Sequence, residues 1–183
     1  MRIITGTARG RKLREPDDNR IRPTTSMVKE AIFNIIQFDI EGRRVLDLFA
    51  GTGQLGIECL SRGAASCDFV DQSKPAYALV KSNLASAQVA GGRVWQSDAA
   101  AFLRRGERYD LILVDPPYDY GKLDSLLEKI TVFDILNKNG IMVCETGVDV
   151  VLPELMPPYV KGREYRYGKV KITLYSHVGY DNP

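Results

Sequence analysis

The chain has 183 residues, 44% hydrophobic and 26% charged, which suffices for one domain with a buried core plus a small appendage. Its net charge of +2 comes from 25 basic and 23 acidic side chains, so any nucleic-acid surface must arise from where charges sit and not from their total. The 3 cysteines lack metal-ligand spacing and no apolar run is long enough to cross a membrane, which leaves reduced core thiols, no metal, no secretory segment and a cytoplasmic location as the expectation.

Residues 1–14 carry Arg2, Arg9, Arg11, Lys12 and Arg14 and no acid. Within them, segments 2–6 and 10–13 flank a turn containing glycine and alanine, a pattern for a β-hairpin with its arginines outward. Such a hairpin has too little core to stand alone. Residues 1–22 are therefore expected to be a basic extension of a domain spanning 23–183. Pro23-Thr24-Thr25-Ser26 offers capping residues for a helix whose apolar face is Val28, Ile32, Phe33, Ile35 and Ile36, ending before Glu41-Gly42.

From residue 44 strand and helix patterns alternate. Strands are expected over 44–49, 66–71, 92–96, 111–114 and 140–144, with helix-period stretches at 54–62, 74–88, 99–104 and 121–136. Alternation of this kind implies right-handed βαβ crossovers and a parallel sheet covered on both faces. The end departs from it: 162–167 and 170–175 are strand-like runs joined by a tight Gly168-Lys169 turn, hence an antiparallel hairpin. The fold class expected is α/β, with a mostly parallel seven-stranded sheet, a C-terminal antiparallel hairpin and a small N-terminal β-hairpin.

The stretch Val45 to Gly56 organises the rest. An apolar strand (Val45, Leu46, Leu48, Phe49) leads into Gly51, Gly53 and Gly56 at GxGxxG spacing, and Leu55, Ile57 and Leu60 then recur at helical spacing. Glycine there reaches positive φ and lets a ligand lie against bare backbone, while the N–H groups opening the helix attract an anionic group. A plain strand-to-helix turn would give the same spacing. In a doubly wound sheet the ligand binds outside the carboxyl ends of the strands, and these ends carry Asp47, Asp71, Asp98, Asp115 and Glu145. Asp71, twenty residues after Gly51, is placed to accept from ribose hydroxyls or to cap the following helix; Asp98 suits the base of the same ligand or a helix cap equally well.

After the strand at 111–114 comes Asp115-Pro116-Pro117-Tyr118. Two prolines remove two donors and hold the backbone extended, leaving the strand-end carbonyls free to accept. An acid, free carbonyls and an aromatic ring at one rim fit a planar base bearing an exocyclic amine.

Taken in order, Asp47-Leu48-Phe49-Ala50-Gly51-Thr52-Gly53, Asp71 and Asp115-Pro116-Pro117-Tyr118 resemble the S-adenosylmethionine-dependent amino-group methyltransferases, a Rossmann-like class I fold. More narrowly, Arg2-Ile3-Ile4, Gly10-Arg11-Lys12-Leu13, Arg22-Pro23-Thr24-Thr25, Val28-Lys29-Glu30-Ala31-Ile32-Phe33-Asn34 and Leu60-Ser61-Arg62-Gly63-Ala64 resemble the RsmD family, which methylates guanine N2 in 16S ribosomal RNA. Ser26 stands where the family commonly has an aspartate, and Thr52 replaces a frequent serine. The resemblance implies that S-adenosylmethionine is held by Arg22, Thr24, Asp47, Phe49, Ala50, Gly51, Gly53, Asp71, Asp98 and Ala99. It implies, too, that Asp115, Pro116 and Tyr118 act on the base, and that the partner is 16S rRNA or a small-subunit assembly intermediate, met by a monomer. Arg9, Arg11, Lys12 and Arg14, supported by Arg20, are the expected RNA contacts, against the plainer reading of a solvated basic face. Competing readings are an adenine-N6 DNA or RNA methyltransferase, which shares the Asp-Pro-Pro-Tyr box, an NAD-dependent oxidoreductase, which shares the glycine spacing and Asp71, and a non-catalytic RNA-binding module. The role of Glu145 stays open.

Overall fold

The computed structural model describes residues 1–16 and 25–178. Seven strands, β1 (Arg44–Leu48), β2 (Ser66–Asp71), β3 (Gly92–Gln96), β4 (Tyr109–Val114), β5 (Leu136–Gly147), β6 (Tyr159–Tyr167) and β7 (Val170–His177), form one sheet in the order β3-β2-β1-β4-β5-β7-β6. The first five pair in parallel, whereas β7 runs antiparallel to both β5 and β6. The sheet is thus α/β with a C-terminal antiparallel hairpin. Strand order reverses at β1, whose neighbours are β2 and β4, so the crevice above β1 and β4 is where a ligand is expected.

Alternate residues of the central strands feed two separate cores. Val45, Phe69, Leu111, Leu113 and Val143 pack on one face beneath α1 (Ser26–Ile35), α2 (Gln54–Ser61) and α3 (Lys74–Ala87). Leu46, Leu48, Val70, Ile112, Val114 and Met142 pack on the other against α4 (Ala99–Leu103) and α5 (Leu123–Val132). Because both faces are covered, strands such as β4 are almost continuously apolar. Cys59, Cys67 and Cys144 are free and buried.

β2 and β3 fall on the expected residues; other boundaries move. Helix α1 stops at Ile35, where a turn closed by Asp39 N–H on the Ile36 carbonyl replaces the next helical bond. β5 starts at Leu136, paired with Tyr109, and the polar stretch Asn137-Lys138-Asn139 crosses a register irregularity opposite Asp110. α5 is correspondingly shorter than 121–136.

The N-terminal segment forms an irregular hairpin with one antiparallel bridge, Arg2 to Lys12. It is sewn to α2 by backbone. Glu58 accepts the N–H groups of Ile4 (2.8 Å) and Thr5 (2.9 Å), the Ser61 carbonyl accepts Thr7 N–H at 2.8 Å, and Ser61 Oγ accepts Ala8 N–H at 3.0 Å. A Cβ on Gly6 would lie 1.8 Å from the Ser61 carbonyl oxygen, so this close approach requires glycine. Ile3, Ala8 and Leu13 thereby join the main core. The fully buried Glu58 also pairs with Lys29 of α1 at 2.9 Å and with Arg62 at 3.0 Å.

Candidate active site

A cavity of about 1230 Å³ opens at the carboxyl ends of β1, β2, β4 and β5. Its floor is the turn between β1 and α2. Phe49 (φ 63°), Gly51 (54°) and Gly53 (76°) all take left-handed backbone, and Gly53 N–H closes the turn on the Ala50 carbonyl at 2.6 Å. For a phenylalanine that conformation is strained by roughly 1–3 kcal/mol, and its ring is held edge-on to Tyr120, centroids 4.8 Å apart. Ala50 N–H reaches the Val70 carbonyl at 3.0 Å, fixing the turn against β2.

Two carboxylates hold this turn in shape. Asp47, 2% exposed, accepts Gly56 N–H in the first turn of α2 at 2.9 Å. Burial pushes its carboxyl well above the usual range; the Gly56 bond opposes this, and the charges of Asp115 and Asp71 add to it. Asp71 accepts Gly51 N–H at 2.9 Å and Ser73 N–H at 2.8 Å, so both oxygens are oriented before any ligand binds.

Across the cavity stand Asp115, half-buried Pro116, and Tyr118, whose side chain is 63% exposed at the rim. Beside Asp115 lies Glu145 of β5, 8% exposed and lining the same cavity, with Oε2 lacking any hydrogen-bond partner. Burial, and then the charge of Asp115, push the Glu145 carboxyl up to about 8.

The structure brings Asp47, Phe49, Ala50, Gly51, Asp71, Asp115, Pro116 and Tyr118 to one cavity. Gly53, in the same turn, is not among the lining residues. Asp98 caps α4, accepting Ala101 N–H at 3.0 Å, and neither it nor the buried Ala99 is among the lining residues. Arg22, Thr24 and Arg20 lie outside the described residues. Of the basic group, Arg9, Lys12 and Arg14 are exposed, whereas Arg11 donates to the Ala87 carbonyl at the end of α3.

Several walls went unforeseen. Met27 and Val28 of α1 line one side, and the loop Val148–Asp149–Val150 with the hairpin tip Tyr167–Gly168–Lys169 lines the other. Val148 N–H donates to the Lys169 carbonyl at 3.0 Å, joining these two wall segments. Among the described residues, six acids (Asp47, Asp71, Asp115, Asp119, Glu145, Asp149) and one base, Lys169, line the cavity. A ligand carrying positive charge relieves that crowding, and the ammonium and sulfonium of S-adenosylmethionine supply it. Among the described residues no cluster of three or more histidine, cysteine or acidic side chains could hold a metal.

The family model described as conserved hypothetical protein 95 matches residues 1–176. The chain belongs to that family. It is the RsmD family that the motifs resemble. The chain is 35% identical to ribosomal RNA small subunit methyltransferase D of Escherichia coli (strain K12) over 96% of its own length and 89% of the relative's. It is 40% identical to YlbH of Bacillus subtilis (strain 168), for which rRNA methyltransferase activity is proposed in its name, over 98% and 100% of the two chains. The solved structure of yhhF from Escherichia coli, named as a methyltransferase by proposal, superposes with a TM-score of 0.88 at 33% identity and 97% coverage of both chains. Family and fold together make this chain an S-adenosylmethionine-dependent methyltransferase, and the acid-lined cavity fits that cofactor.

Proposed function

We propose that the protein transfers a methyl group from S-adenosylmethionine to the exocyclic N2 of a guanine in 16S rRNA of the small ribosomal subunit. One observation carries the reading. The Asp115-Pro116 rim and the Asp71-braced glycine turn open into the same cavity, in a chain closely related to a protein named ribosomal RNA small subunit methyltransferase D.

In this reading Asp71 binds the ribose hydroxyls, the Gly51–Gly53 turn carries the amino-acid end, and Asp47 keeps that turn in place through Gly56. Arg22 and Thr24 close over the ligand, and Asp98 and Ala99 meet the adenine edge. When bound, S-adenosylmethionine supplies a methyl group on a positively charged sulfur, so the electrophile is already activated. The protein's task is the nucleophile. Guanine's amine is weak because its lone pair is delocalised into the ring; hydrogen bonds to an Asp115 carboxylate oxygen and the Pro116 carbonyl favour a pyramidal nitrogen, and Asp115 holds the proton that nitrogen releases. Tyr118 stacks on the base, which is unpaired or turned out of its stack, and positioning supplies most of the rate.

Residues 1–22 serve as the RNA-facing extension of a catalytic domain spanning 23–183, with Arg9, Lys12 and Arg14 toward phosphates and Arg11 bonded to the Ala87 carbonyl. The substrate is the free RNA or a small-subunit assembly particle, met by one copy of the chain in the cytoplasm. The test is methyl transfer from labelled S-adenosylmethionine to unmodified small subunits, with duplex DNA alongside, followed by nucleoside mass analysis. N2-methylguanosine from the RNA is expected. N6-methyladenine from the DNA would move the protein to the adenine methylases that share its Asp-Pro-Pro-Tyr box.

A further inference from the structure

Resting on that assignment, we propose that Glu145 reads the Watson–Crick edge of the target base: its unpartnered Oε2 accepts the N1–H of guanine beside the amine engaged by Asp115, which makes the site select a purine with two adjacent donors.

The placement comes from the sheet. β4 and β5 are parallel and paired up to Val114 and Cys144, so Asp115 and Glu145 are the next residues of neighbouring strands, roughly 5 Å apart along the hydrogen-bonding direction. They therefore present two carboxyl groups side by side to one cavity. The charge of Asp115 is felt at Glu145, which places the two groups in electrical contact. Glu145 is otherwise hard to explain. Its side chain is buried and Oε2 has no hydrogen-bond partner among the described residues, whereas Asp47, Asp71 and Asp98 each accept backbone N–H groups. Buried polar atoms are almost always satisfied, and one that is not marks a position where an incoming group completes the bond.

Guanine completes it in a way adenine does not. Along its Watson–Crick edge guanine offers N1–H and the N2 amine as two donors in a row, matching two acceptors in a row. Adenine offers a donor at its amine but an acceptor at N1, which would face the ionised Glu145 carboxylate without a hydrogen between them. The Asp-Pro-Pro-Tyr box engages any exocyclic amine, so discrimination must come from a group beyond it, and Glu145 is the buried acceptor at that position.

The test uses a short RNA substrate carrying 2,6-diaminopurine at the target position. This base keeps the reactive N2 amine but has an acceptor at N1. Assayed above pH 8, where the Glu145 carboxyl is ionised, wild-type protein is expected to lose roughly 10- to 150-fold in kcat/KM on the analogue relative to guanine, the cost of one missing hydrogen bond to a charged group. Glu145→Gln, which keeps size and shape and can turn its amide to donate to N1, is expected to bring the two substrates within about threefold of each other. Calorimetric affinity for S-adenosylmethionine reports whether that variant is folded, and the wild-type comparison needs no variant at all. Equal use of both bases by wild type, or an undiminished preference in Glu145→Gln, overturns the proposal while leaving N2 methylation intact. Adenine methylation by wild type overturns both readings.

Discussion

The Asp71 carboxylate accepts the backbone N–H of Gly51 at 2.9 Å, clasping the turn after β1 from the end of β2. One side chain therefore shapes the glycine turn and faces the cavity. Asp71→Ala is expected to weaken S-adenosylmethionine binding by roughly 1.5–3 kcal/mol, about 10- to 150-fold in Kd by calorimetry, because charge-assisted bonds to the ribose go together with the brace. An affinity equal to wild type would refute the assignment.

Asp115 divides from it by role. Asp115→Ala is expected to abolish turnover while Kd for the cofactor stays within a few-fold, since the proposed role of this residue is to engage the base at the cavity rim. Simultaneous loss of both would show that Asp115 belongs to the cofactor site.

Glu58 is the joint between the N-terminal segment, α1 and α2. Removing it strands the buried Lys29 ammonium and two backbone donors, Ile4 and Thr5. Glu58→Ala should therefore cost about 3–5 kcal/mol in urea unfolding, as for other broken buried pairs. Burial alone would raise the Glu58 carboxyl, but the charge of Lys29 and the bonds from Ile4, Lys29 and Arg62 outweigh it and hold the group below its ordinary 4.5. A depressed folded value means this stabilisation is complete above pH 4.5 and fades as the pH falls through the folded value, so the variant should lose its disadvantage only in acid.

Glu145 has the opposite sign. Its folded value of about 8 against an ordinary 4.5 means the folded state keeps a proton the unfolded chain has released, so its contribution to stability falls as pH rises between the two. The charged groups lining the same cavity are Asp47 on β1, Asp71 on β2, Asp115 after β4, and Asp119, Asp149 and Lys169 on the surrounding loops. Burial, and then the charge of Asp115, hold the shift upward. Glu145→Gln is expected to gain roughly 2–4 kcal/mol on wild type between pH 5 and pH 8 in denaturant titrations; a constant difference would contradict this.

Exposed Arg9, Lys12 and Arg14 make a separable test. Reversing all three to glutamate should lower RNA affinity and reduce the slope of log K against log salt by roughly 2, each lost phosphate contact removing somewhat under one unit. Arg11 is left out because its guanidinium already serves the Ala87 carbonyl. An unchanged slope would return this face to plain solvation.

Much of the fold was legible because the strands are short apolar runs bounded by glycine and acid. β2 and β3 fall on the expected residues for that reason. β5 was underestimated because Asn137-Lys138-Asn139 breaks its apolar run, although Leu136 already pairs with Tyr109. Within the site, Asp47, Gly51, Asp71 and Asp115 were readable from position alone, since strand ends converge in this topology. Asp98 was not decidable: a cap and a base contact ask for the same residue after the same strand. Walls built from the 148–150 loop and the hairpin tip carry no motif, because they are set by where β7 inserts. The Glu58–Lys29 pair was equally invisible, since it joins helices 29 positions apart along no repeating pattern.

That insertion has a consequence for synthesis. β7 follows β6 in the chain yet sits between β5 and β6, so until about residue 177 has emerged the outer edge of β5 is an unpaired, apolar strand, and the cavity lacks the Lys169 carbonyl that holds Val148. A nascent chain halted before β7 carries the whole glycine turn and the Asp-Pro-Pro-Tyr box but offers a bare sheet edge to its neighbours. Competence and protection from aggregation thus arrive together, when β7 leaves the ribosome.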